Sequence, residues 1–97
     1  MKVLFSCRLT TAAFGSTGTD TLLWRPAKLD AIPKEGDFID LCASEDHTLE
    51  GVIKKVYWTP WNEAAPVQIE LRLQAHNYDQ LRVCEAVLTA DGWRPNP

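Results

Sequence analysis

Residues 67–74, VQIELRLQ, and residues 77–92, NYDQLRVCEAVLTADG, decide the fold. In the first stretch Val67, Ile69, Leu71 and Leu73 alternate without interruption against Gln68, Glu70, Arg72 and Gln74. A period of two puts the four apolar side chains on one face of a strand and the four polar ones on the other, so one face is buried and one is wet. At Asn77 the period lengthens. Tyr78, Leu81, Cys84 and Leu88 recur at three and four residues, Asn77 suits an N-cap with Gln80 placed to complement it, and Gly92 suits the stop. The spacing predicts a helix over 78–90. A strand through Val83, Glu85 and Val87 would bury a carboxylate among apolar neighbours and ranks below it.

Working outward, residues 2–9, KVLFSCRL, set Val3, Phe5, Cys7 and Leu9 against Lys2, Ser6 and Arg8, a half-buried first strand. Residues 10–20 are rich in Thr, Gly and Ser, lack periodicity and read as a loop. A second strand over 21–25 meets Pro26, which cannot donate to a ladder and marks a strand end or a sheet edge. Pro33 and Gly36 punctuate the approach to a strand at 38–41, where Phe38 and Asp40 share one face and Ile39 and Leu41 the other. Residues 48–58, TLEGVIKKVYW, form a fourth strand. Strict alternation puts Val52, Val56 and Trp58 on one face and Ile53, Lys55 and Tyr57 on the other, with Gly51 as a bend or bulge. The turn TPWNEAAP, residues 59–66, joins it to the fifth strand, and Trp93 anchors the tail.

A chain of 97 residues is one domain, spanning 1–97, and is long enough to bury a core without obligatory disulfides or metals. The expected fold class is mainly β (α+β): a small, strongly bent antiparallel sheet or partly open SH3-like barrel of about five strands, with one C-terminal helix. The segment KEGDFIDL, residues 34–41, followed by a strand ending at Trp58, resembles the diverging turn of SH3-like barrels. The resemblance stops there. No ALYDY-like segment stands near the start and no PSNYV-like segment near the end, so peptide binding of the SH3 kind is not implied.

Composition is that of an ordinary globular chain, 45% hydrophobic and 24% charged, with no apolar run approaching the ~20 residues of a membrane span. Met1-Lys2-Val3-Leu4-Phe5 gives way to Ser6 before a secretory core develops, and Cys7, Cys42 and Cys84 lack both CxxC spacing and a partnering histidine. These features predict a cytoplasmic location, reduced thiols, no metal and no cofactor. Cys7 and Cys84 continue apolar faces and read as core.

The net charge of −3 is unevenly spread. Residues 1–34 carry +3, residues 35–50 carry −6 with no Lys or Arg, and residues 51–97 balance. The acidic block, Glu35, Asp37, Asp40, Glu45, Asp46 and Glu50, repels phosphate and attracts basic partners, although such runs commonly do no more than solvate a turn. The other distinctive feature is Tyr57-Trp58-Thr59-Pro60-Trp61-Asn62. Adjacent strand residues face opposite ways, so Tyr57 and Trp58 cannot both be core, and an exposed aromatic at a turn is a common recognition device. The bland alternative folds Trp61 back as a lid and plugs a barrel end with Trp58.

Catalysis finds little support. His47 lies among carboxylates that would favour its charged form, and His76 sits at a junction where capping is the ordinary role. Cys84 with His76 requires a core thiol to become accessible. The Gly15–Thr19 stretch lacks the Lys-Ser/Thr ending of a P-loop. The expected function is therefore a non-catalytic protein-interaction module whose contact residues are Tyr57, Trp58, Trp61, Asp37, Asp40, Glu45, Asp46 and Glu50. Its partner is an unidentified protein or a second copy of the chain, with no membrane involved. A single-stranded nucleic-acid-binding barrel using Lys54, Lys55 and Arg72 ranks second, because alternation sends Lys54 and Lys55 to opposite faces. A small Cys/His enzyme ranks third.

Overall fold

The computed structural model describes residues 1–11, 21–41 and 49–96. Five strands and one helix follow in chain order: β1 (Lys2–Thr11), β2 (Thr21–Lys28), β3 (Phe38–Asp40), β4 (Glu50–Trp58), β5 (Val67–Ala75) and α1 (Tyr78–Ala90). They form one sheet in the order β2-β1-β5-β4-β3, bent into a half-barrel. The architecture agrees with the one the sequence predicts, but the sheet is mixed. β1 and β5 run parallel, with Val3 opposite Val67 and Leu9 opposite Leu73, while every other pair is antiparallel. This central pair supplies most of the buried core on one face, while its other face stays open to water.

The alternation in β1 and β5 fixes which face is covered. Val3, Phe5, Cys7 and Leu9 join Val67, Ile69, Leu71 and Leu73 beneath α1, which contributes Leu81, Cys84 and Leu88. The opposite face carries Leu4, Ser6, Arg8 and Thr10 beside Gln68, Glu70, Arg72 and Gln74. Tyr78, expected on the buried stripe of the helix, is instead exposed, with the Arg82 guanidinium over its ring. A residue at the first helical position lies beyond the sheet that the later turns cover.

Both ends of α1 are closed as expected. The Asn77 side chain accepts from Gln80 N–H at 2.8 Å, and Gln80 Oε1 accepts from His76 N–H at 2.6 Å. At the other end Gly92 adopts φ of 110°, and Gly92 and Trp93 donate their N–H groups to Thr89 and Leu88, a Schellman closure. The closure drives Trp93 into the core, where Nε1 donates to Leu41 O at 2.9 Å and the ring lies against Phe5. Beyond it Arg94 exchanges two backbone hydrogen bonds with Trp24, and Arg25 pairs with Asp91. The tail thus covers part of the β2 edge. Pro26 lies within β2 rather than ending it, which an edge strand tolerates.

Candidate functional site

β4 departs from strict alternation. Its register against β5 shifts between Ile53 and Lys55, so Lys54 and Lys55 together oppose Glu70. The bulge lies here and not at Gly51, and it rephases the strand. Ile53, Val56 and Trp58 take the helix side, while Val52, Lys54, Lys55 and Tyr57 take the open side. Two expectations are corrected: Val52 and Val56 lie on opposite faces, and Lys54 and Lys55 share one. An inserted residue inverts every assignment on one side of it. Gly51 has a different reason to be glycine, since a Cβ there would meet Leu41 Cδ1 at 3.0 Å.

The aromatic turn is exposed and firmly built. Trp61 is 82% exposed, Trp58 58% and Tyr57 43%. Thr59 N–H donates to Pro66 O at 2.8 Å, and Thr59 Oγ1 donates to Ala65 O at 2.9 Å. Asn62 Oδ1 accepts from the N–H groups of Ala64 and Ala65, at 3.1 and 3.2 Å. Asn62 N–H closes the inner turn on Thr59 O. A loop held this way presents its indole without first having to be ordered. Tyr57 is tied to the open face, its hydroxyl donating to Glu70 Oε2 at 3.3 Å and its ring lying 5.3 Å from Lys55 Nζ.

The acidic residues lie elsewhere. Asp37 closes a turn by accepting from Lys34 N–H at 2.9 Å, and Gly36, at φ of 91°, donates to Ile53 O. Asp40 pairs in register with Glu50 at the beginning of β4. Glu45 and Asp46 fall outside the described residues, as do Cys42 and His47. At ~3.3 Å per residue, β4 carries the Asp40–Glu50 pair about 25 Å from Trp58. The two halves of the expected site therefore occupy opposite ends of one strand.

Between them lies a feature that hydrophobicity patterns do not reveal. β3 pairs with β4 only over Glu50–Val52, extended by the Gly36 and Asp37 bonds to Ile53. Among the described residues no strand lies beside Lys54–Trp58 on that side. Phe38, 70% exposed, lies at the same edge and is not among the contact residues that the sequence predicts. It lines a shallow depression of about 320 Å³ with Val52, Lys54, Arg72 and Glu50. The signal for it was present, because Phe38 shares its strand face with Asp40.

The residues weighed for catalysis are placed less favourably for that role. Cys84 is buried and burial pushes its thiol up from the ordinary value, the reverse of an activated thiolate. Among the described residues no three or more His, Cys, Asp or Glu side chains gather as metal ligands. No described helix is long and apolar enough to cross a membrane. Comparison with protein-family models, with curated proteins and with solved structures finds no match.

Proposed function

We propose that this chain is a non-catalytic protein-interaction module whose contact surface runs along the outer edge of β4, from the acidic Asp37, Asp40 and Glu50 to the aromatic turn. The observation that carries this reading is Trp61, the most exposed large apolar side chain among the described residues, held on a turn with every bend hydrogen-bonded. A rigid, exposed indole offers large contact area at little entropic cost, which is why tryptophan is enriched at the energetic centres of interfaces. A standard interface of about 800 Å² per partner reaches the ~25 Å between the two halves. The open sheet face favours a nucleic acid less, because Glu50 and Glu70 stand among Lys54, Lys55 and Arg72.

Replacing Trp61 with Ala tests this. A surface side chain outside the core should change stability by no more than about 0.5 kcal/mol. Immobilised wild-type protein should retain its partner, whether an added second copy of the chain or another protein of an extract, and the Trp61→Ala variant should not. Equal retention by both, or loss of cooperative unfolding in the variant, contradicts the reading.

A further inference from the structure

Resting on the interaction-module reading, we propose that the partner seated on the Lys54–Trp58 edge is a second copy of this chain, paired antiparallel about a two-fold axis through Val56. The backbone supplies the first argument. Ile53 directs both its N–H and its C=O toward the Gly36–Asp37 segment, away from β5, and Thr59 N–H bonds across to Pro66. Strand groups alternate sides, so Trp58 and Val56 direct theirs to the same open side as Ile53, the bulge absorbing the extra residue. This short row of donors and acceptors is what an added strand requires.

The side chains supply the second argument and select the occupant. Lysines and a bulge on an edge ordinarily keep strands from pairing. In a two-fold register centred on Val56, however, Lys55 meets Tyr57 of the partner subunit, and Lys55 already lies 5.3 Å from its own Tyr57 ring. Lysine thus faces an aromatic face in the other copy rather than another lysine. Val56 and Trp58, on the helix side, gain apolar cover at the same seam.

The third argument is the separation of the acidic stretch from the aromatic turn. The open edge is flanked by Lys34–Phe38 at its Ile53 end and by the 59–66 turn at its Thr59 end. A two-fold rotation about Val56 exchanges these ends. It brings each copy's Trp61 turn toward the other's Asp37 and Phe38, so two features too far apart to share a pocket in one chain become complementary across the pair. Such an interface is isologous and closes on itself.

Sedimentation equilibrium of the full chain at about 50 μM should give twice the monomer mass, since that concentration populates a dimer of micromolar affinity. Hydrogen-bonded antiparallel residues stand about 5.5 Å apart between Cα atoms, within disulfide reach. A Val56→Cys variant on a Cys42→Ser background should therefore link covalently under mild oxidation. Tyr57→Lys, which sets like charges against each other, should weaken the dimer about tenfold while leaving the monomer folded. A monomeric mass at 50 μM overturns the proposal, and so does a dimer that neither forms the Val56→Cys link nor responds to Tyr57→Lys. If the chain is monomeric yet retains other proteins through Trp61, self-pairing fails and the interaction-module reading stands.

Discussion

Among the described residues Cys7 is the ionisable one whose surroundings differ most from water. It is fully buried between β1 and α1, and burial, reinforced by the nearby Cys84, pushes its thiol up to about 12 from an ordinary value of 9.0. Below pH 9 the thiol is protonated in both folded and unfolded chains and stability does not depend on it. Between about 9 and 12 the unfolded chain releases the proton and the native chain keeps it, so stability falls as pH rises, by up to ~1.4 kcal/mol per pH unit. Urea unfolding between pH 8 and 11 should show that decline in the wild type, reduced in Cys7→Ala; equal slopes would contradict it. Position 51 is a residue-scale constraint of another kind, where a Cβ would meet Leu41 Cδ1 at 3.0 Å and the Leu41 side chain would have to shift by a few tenths of an ångström.

At the scale of the element, β5 and α1 were legible because each has one unbroken period and clear end signals. β4 was only half legible. Its location and its turn follow from composition, but Lys54-Lys55 gives no cue to which lysine is the extra residue, since both are polar and either parity fits part of the strand. The burial of Ile53 and the packing of the half-buried Val56 against the core decide it, because both must reach the core side and only an inserted residue between them allows this. The bulge makes a sharp prediction. Deleting Lys54 restores simple alternation with Ile53, Val56 and Tyr57 on their present faces, so that variant should unfold cooperatively near the wild-type temperature. Deleting Val56 puts Tyr57 where Val56 now packs and should broaden or abolish the melting transition. Similar melting of the two variants would contradict the assignment.

For the whole molecule, the sequence conveyed five strands, one helix and a single wet face, but not the parallel contact between β1 and β5. Pattern identifies which residues are buried, whereas strand order depends on contacts between residues as distant as Val3 and Val67, for which a single chain carries no local signal. The same limit explains the candidate site. Exposure of the aromatic turn was readable from the crowding of Tyr57, Trp58 and Trp61. The short reach of β3, which leaves the neighbouring edge of β4 open, follows only from assembly. Half of the surface is local chemistry and half is topology.

The central claim is that the indole of Trp61 lies in water in the dilute chain and is covered when a partner binds. Fluorine NMR of protein labelled with 5-fluorotryptophan follows Trp24, Trp58, Trp61 and Trp93 separately, with single tryptophan substitutions providing the assignments. In dilute protein the Trp61 resonance should show a full H₂O/D₂O solvent shift and Trp93 almost none. On raising the concentration or adding a captured partner, Trp61 should lose that shift while Trp93 stays fixed. A Trp61 resonance that is shielded from solvent at the outset, or that keeps its solvent shift in the bound state, would contradict the account.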